Sequence, residues 1–298
     1  MTLQWRIKDG SIPVGERTLV MGILNVTPDS FSDGGRYLSI EKAIAHAMQM
    51  INDGADLIDV GGESTRPGSE GPVSADEEIK RVVPVIEAVS KATSVPISVD
   101  TTKSEVATAA LEAGASIVND ISALRFDFYV ADAVARFNAG LVLMHSRGTP
   151  ATMHRLPPVA DIMDEVKSSL GASIKMAQRR GVVRESIAID PGIGFGKSHE
   201  QNLELLTKTG ELMDVFPDLP IVVGTSRKSF IGRILADKDG APAPADQRLS
   251  GSLATIAAAV IRGAHIVRVH DVKETVEFVK VLDTILKRSG DEVSTDTR

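Results

Sequence analysis

The sequence predicts an α/β protein, a (β/α)8 TIM barrel with a short N-terminal cap hairpin. Three observations carry this. About eight short apolar runs recur along the chain, each stops on a polar residue, and each is followed by a segment of helical length and spacing. The 298 residues, 43% of them hydrophobic, suit one barrel of roughly 250 residues, so a single domain spans 1–298 with its core over about 19–288.

Residues 1–18 are polar with turn signals and read as a hairpin closing the barrel bottom. Strand one, ending in MGILN at 21–25, runs into NVTPDSFSDGG, a long polar loop of the kind that carries ligands, before helical spacing over Ile40–Asn52. LIDVGG at 57–62 opens a second long loop, ESTRPG, and Ser74 with Glu77 forms a capping box for a helix from Ala75. PISVD at 96–100 precedes a helix over about 103–113, with Thr101 or Thr102 as its cap.

SIVND at 116–120 and LVLMH at 141–145 are the next strands, and the loop after the second ends in prolines before a helix over about 159–180. SIAID at 186–190 breaks abruptly into PGIGFGK, and a helix follows near 199–213. IVVGTSRK at 221–228 leads through DKDGAPAPADQR at 237–248, read as a flexible excursion, to the last helix but one. HIVRVH at 265–270 precedes a closing helix over 272–288, and residues 289–298 read as a disordered tail.

Composition narrows the function classes. Lys and Arg total 33 against 40 Asp and Glu, a net charge of −7, which argues against a nucleic-acid surface. Zero cysteines exclude disulfides and thiolate metal sites and fit a reducing, cytoplasmic setting. The N-terminus lacks an apolar signal core, and no run approaches the roughly 20 apolar residues of a membrane span.

In a barrel the strand ends share one rim, which would gather Asn25, Asp59, Asp100, Asn119, Asp120, His145, Asp190, Lys228, Arg268 and His270. Each alone has a bland reading: Asp190 as a solvated turn carboxylate, Asp100 as a helix cap, His145 as a satisfied supporting residue. Repetition at every tip points to a site. Asp100, Asn119 and Asp190 offer acceptors and an amide for the donor-rich edge of an aminopyrimidinone-like ring.

Lys228, Arg268 and His270 lie on strands seven and eight, where barrels often bind phosphate, with Asn25 next to them around the barrel. Carboxamide and phosphate oxygens suit Mg2+, and no HExxH or three-histidine pattern suggests zinc. GIGFGK lacks Walker A spacing, and no nucleophile elbow appears.

The strings GILNVTPDSFSDGG, DVGGESTRPG, SVDT, ND, MHxxGTPxxM, DPGIGFGK, SRKS and RVHD, in this order from about 20 to 285, resemble the dihydropteroate synthase family. The resemblance implies a sulfonamide-sensitive barrel enzyme, commonly a homodimer, that condenses (7,8-dihydropterin-6-yl)methyl diphosphate with p-aminobenzoate by a dissociative displacement. It implies pterin contacts from Asp100, Asn119, Asp190 and Lys228. Diphosphate would meet Thr65, Arg268 and His270, with Asn25 acting through Mg2+. p-Aminobenzoate would meet Thr65, Arg66, Pro67, Phe195, Lys228 and Ser229. Asp100, Lys228 and Arg268 would carry catalysis. The alternatives are a pterin-binding methyltransferase module, which has no need of the diphosphate corner, and a non-catalytic barrel.

Overall fold

The computed structural model describes residues 2–27, 35–64 and 73–293. Strands β1 (Leu3–Ile7) and β2 (Gly10–Val14) form an antiparallel hairpin. Then come β3 (Leu19–Asn25), α1 (Gly35–Asn52), β4 (Leu57–Gly61), α2 (Ala75–Ala92), β5 (Ile97–Asp100), α3 (Ser104–Glu112), β6 (Ile117–Asp120), α4 (Val130–Phe137) and β7 (Gly140–Met144). The chain continues through α5 (Ile162–Arg179), β8 (Ile187–Asp190), α6 (His199–Thr207), α7 (Gly210–Val215), β9 (Val222–Val223), α8 (Ser229–Ile234), α9 (Leu249–Ile261), β10 (Ile266–Val269) and α10 (Val272–Val293).

Strands β3 to β10 form one parallel sheet in the order β8-β7-β6-β5-β4-β3-β10-β9. The Ile189 N–H donates to the Pro220 carbonyl at 2.9 Å, and Ile189 bridges Ile221, which closes β8 onto the run into β9. This is the (β/α)8 barrel read from the sequence. Its strands are buried on both faces, which is why they read as unbroken apolar runs.

The N-terminal hairpin plugs the bottom. Trp5 is fully buried against Leu19, Leu57, Ile117 and Ala188 near the strand starts, and its indole N–H donates to the Ser186 carbonyl at 2.9 Å. A large ring with one donor fills the barrel base while keeping that donor satisfied. The opposite end is left to polar chemistry.

Several local expectations need amending. Ser74 does accept from the Glu77 N–H, but the Glu77 carboxylate turns to Arg81 instead of closing the box. Thr101 accepts from the Lys103 N–H, and Asp127 accepts from the Ser104 N–H at 2.8 Å, a cap supplied from the next connection. The helix near 199–213 is two helices, α6 and α7, with Thr209 between them bonded back to Leu205.

The 237–248 segment is tied down: Asp237 accepts from two backbone N–H groups, and Ala243 N–H donates to the Gly232 carbonyl at 3.0 Å. The final helix runs past residue 288 to Val293, since propagating a helix gains a hydrogen bond for each residue added. Residues 294–298 of the expected tail lie outside the described residues.

Candidate active site

The strand register assembles the first part of the site. Asn25 pairs with Gly61, Gly61 with Asp100, and Asp100 with Asn119, so one row crosses the tips of β3, β4, β5 and β6. Side chains two apart on a strand share a face, so Asp59 sits one layer below this row. Gly61 leaves the row open: a side chain there would meet Asp100 and the Asn25 carboxamide oxygen.

Arg268 on β10 reaches across this opening. Its Nε donates to Asp59 at 2.6 Å and its Nη2 to Asp100 at 2.6 Å, while the Asn119 amide donates to the same Asp59 oxygen at 2.9 Å. Asp59 is fully buried and its second oxygen has no hydrogen-bond partner. Burial works against the Arg268 charge, yet Asp59 and Asp100 outweigh it and hold the guanidinium firmly protonated. Burial pushes the Asp100 carboxyl up to about 7; Arg268 opposes the shift, and the nearby carboxylates of Asp59, Glu78 and Asp120 add to it.

The second part is the DPGIGFGK turn. The Gly192 N–H donates to the Asp190 carboxylate at 2.6 Å, and Gly192 has φ +65. A Cβ there would lie 1.7 Å from the His145 carbonyl, so only glycine lets the turn lie on the tip of β7. Asp190 is buried, which raises its carboxyl to about 6 against the pull of the Gly192 N–H, Lys228 and Lys197. Phe195 presents its ring to Lys228, whose Nζ lies 3.9 Å from the ring centroid.

Lys228 enters from the end of β9. Burial and the neighbouring Arg268 lower its ammonium to about 8, with Asp190 and Asp100 opposing. The residue before it, Arg227, has φ +58, a costly conformation for a side chain with a Cβ. Four contacts hold it there: its N–H donates to Ser252 at 2.9 Å, its carbonyl accepts from Arg248 at 2.8 Å, and its guanidinium forks onto both oxygens of Asp271. The tips of β9 and β10 are thereby joined, and the His270 ring and backbone N–H both meet the Ser226 hydroxyl at 3.2 Å.

One mouth thus collects three carboxylates, two carboxamides and a cationic side. A family model described as "Pterin binding enzyme" matches residues 21–270. Dihydropteroate synthase of Bacillus subtilis is 46% identical over 285 residues, covering 95% of this chain and 94% of that one. The chain belongs to the dihydropteroate synthase family. It is a transferase of folate biosynthesis.

Two solved members share its architecture. The Yersinia pestis dihydropteroate synthase in a sulfonamide drug complex has a TM-score of 0.84 at 42% identity, covering 93% of this chain and 97% of that one. The Xanthomonas albilineans enzyme in complex with 7,8-dihydropteroate has a TM-score of 0.82 at 39% identity, covering 94% and 98%.

Of the residues singled out from the sequence of this family member, Asn25, Asp100, Asn119, Asp190, Phe195, Lys228, Arg268 and His270 lie on the barrel mouth, and Ser229 opens α8 beside Lys228. Helix α8 has only six residues, so Ser229 offers its hydroxyl more than a helix macrodipole. Thr65, Arg66 and Pro67 lie outside the described residues, as does most of the first loop beyond Thr27.

Asp120 turns away from the mouth. Its carboxylate accepts from the Ser122 N–H and hydroxyl and from the Leu124 N–H, holding a turn in which Ala123 and Leu124 both have positive φ. His145 is buried but not satisfied: Nδ1 has no partner, and burial lowers the ring to about 2, so it stays neutral. Reading strand tips alone left Asp59 without a role and passed over Lys197, whose Nζ donates to the His145 and Gly192 carbonyls. It also passed over Lys103, which bridges Glu63 and Glu78 at the root of the second loop.

Proposed function

We propose that the mouth of the barrel joins (7,8-dihydropterin-6-yl)methyl diphosphate to p-aminobenzoate, releasing diphosphate and forming 7,8-dihydropteroate. The observation that carries this is the meeting of Asp100, Asn119 and Asp190 with Lys228, Phe195 and Arg268 in one opening. The carboxylates and the Asn119 amide accept from and donate to the aminopyrimidinone edge, and Lys228 serves its remaining acceptors.

The bond between the pterin methylene carbon and diphosphate breaks with its electron pair on the departing oxygen. The aniline nitrogen then forms the C–N bond and gives up a proton. This nitrogen attacks without prior deprotonation, so the chain needs no dedicated base. Asp100 and Asp190 stabilise the carbon cation, while Lys228, Arg268 and His270 lie on the side toward the departing charge. Phe195 and Ser229 take the p-aminobenzoate side; the family resemblance assigns Thr65, Arg66 and Pro67 to p-aminobenzoate as well, and Thr65 to diphosphate, and these three lie outside the described residues.

Mg2+ fits this donor set. Asn25 supplies one hard carboxamide oxygen beside the Asp100 tip, and among the described residues no cluster of three acidic or imidazole groups forms a protein-only cage. Asn25 would hold such an ion, which would supply positive charge to the departing diphosphate. A homodimer is also part of this reading, supported by the exposed apolar side chains Val215, Ile234 and Ile261 on helices α7, α8 and α9. The absence of cysteine supports a cytoplasmic setting, and among the described residues no helix is long and apolar enough to cross a membrane.

Turnover of the two substrates with Mg2+, followed by diphosphate release, tests the reading; no dihydropteroate formed would overturn it. A sulfonamide is expected to inhibit by competing with p-aminobenzoate, and an inhibition constant indifferent to p-aminobenzoate concentration would count against that. The pH profile has a definite sign. Below about 7 Asp100 gains a proton and loses its charge, and above about 8 Lys228 loses its own. The kcat/KM for the dihydropterin substrate is therefore expected to rise toward pH 7 and fall above pH 8, the apparent values belonging to the coupled cluster. A flat profile from pH 6 to 9 would contradict it.

A further inference from the structure

We infer that Lys197 is a positioning residue that clamps the Gly192–Gly196 turn onto the tip of β7 and so holds Asp190 and Phe195 in register with Lys228. This rests on the proposed pterin site. The Lys197 Nζ donates to the His145 carbonyl at 2.8 Å and to the Gly192 carbonyl at 2.6 Å, tying β7 to the turn after β8 from inside the turn. Without it, the carbonyl of the buried His145 loses this donor.

The rest of the turn is built around this clamp. Gly194 N–H donates to the Asn202 side chain at 2.6 Å, and the Gly196 carbonyl accepts from Arg147 at 3.0 Å. Gly194, at φ +89, lies against the Lys228 stem, where a Cβ would approach within 3.0 Å. A shift of the turn by a fraction of an ångström would therefore move the Lys228 stem and the Phe195 ring together. Asp190 on β8, Lys228 after β9, Glu165 on α5 and Arg147 in the β7 to α5 loop all face Lys197. Burial pulls its ammonium well below the usual lysine range, but a neutral amine still donates to two carbonyls, so the clamp holds in either state.

The contacts of Asp190 to the pterin edge are made in the bound substrate before the carbon–oxygen bond breaks and persist as it breaks, so loosening the turn that holds Asp190 should affect substrate binding more than the chemical step. In Lys197→Met the KM for the dihydropterin substrate is expected to rise about 10- to 100-fold with kcat within about threefold of wild type. The chain has no cysteine, so Lys197→Cys carries the sole thiol. Aminoethylating it in denaturant and refolding restores a side chain of lysine length with its amine, and should bring KM back to within about threefold. Asn202→Ala frees the same turn from its other side and leaves the two carbonyl contacts of the Lys197 ammonium in place, with an expected rise in KM of about three- to tenfold, and it carries the test should Lys197→Met not fold.

An unchanged KM in folded Lys197→Met or in Asn202→Ala would overturn the inference, as would a fall in kcat with unchanged KM. A wild-type enzyme that fails to turn over the substrates would instead overturn the proposed reaction itself.

Discussion

Lys228→Met is expected to lower kcat/KM for dihydropteroate formation by about 10³-fold or more, of which lost electrostatic stabilisation of developing charge accounts for roughly 10² to 10³. Methionine keeps most of the stem that packs on Gly194, so the change removes chiefly the cation over the Phe195 ring. A second effect adds to the first. The Lys228 charge helps keep Asp190 ionised against its burial, so without it Asp190 binds a proton more readily and loses an acceptor for the pterin edge. Steady-state kinetics with both substrates measure the loss, and circular dichroism confirms the fold. A variant within tenfold of wild type would remove Lys228 from the chemistry.

Asp190→Asn is expected to lower kcat/KM by roughly 10² to 10³, because charge-assisted hydrogen bonds are lost and an amide donor replaces an acceptor facing ring donors. The amide oxygen still accepts from the Gly192 N–H, so the turn survives. Stability moves the other way. The folded carboxyl sits at about 6, above the ordinary carboxylate value, so the ionised form costs stability as pH rises through that range. Removing this charge should leave the melting temperature of the ligand-free protein at pH 8 unchanged or higher. Loss of activity with retained stability separates a functional carboxylate from a structural one. A melting temperature that falls with activity would assign Asp190 to the fold.

The barrel was legible because a strand buried on both faces leaves an unbroken apolar run, and SIVND or LVLMH says as much without a partner in view. Asp100, Asn119 and Asp190 were legible for a related reason: each ends such a run, and in a closed barrel all strand ends face one rim. Asp59 was not, because its meaning depends on Arg268, 209 positions away and brought near through β3. Nothing local distinguishes an aspartate that anchors an arginine from one that binds ligand.

Asp120 failed for a neighbouring reason. It ends a strand as Asp100 does, but the strand alternation sends it to the other side, where Ser122 and Leu124 take its carboxylate. Lys197 was hidden by its setting, since a lysine after a glycine-rich stretch looks solvated until the turn folds around it. The αL conformation of Arg227 has no sequence signal at all, being imposed by Ser252, Arg248 and Asp271.

A crystal structure of the wild-type protein with 7,8-dihydropteroate is the most direct test of the site as drawn. The expected result is a pterin ring inside the mouth, its amino and ring N–H groups within about 3 Å of the Asp100, Asn119 or Asp190 side chains and Lys228 beside its other polar atoms. A ring bound elsewhere, with none of these four side chains in contact with it, would contradict it.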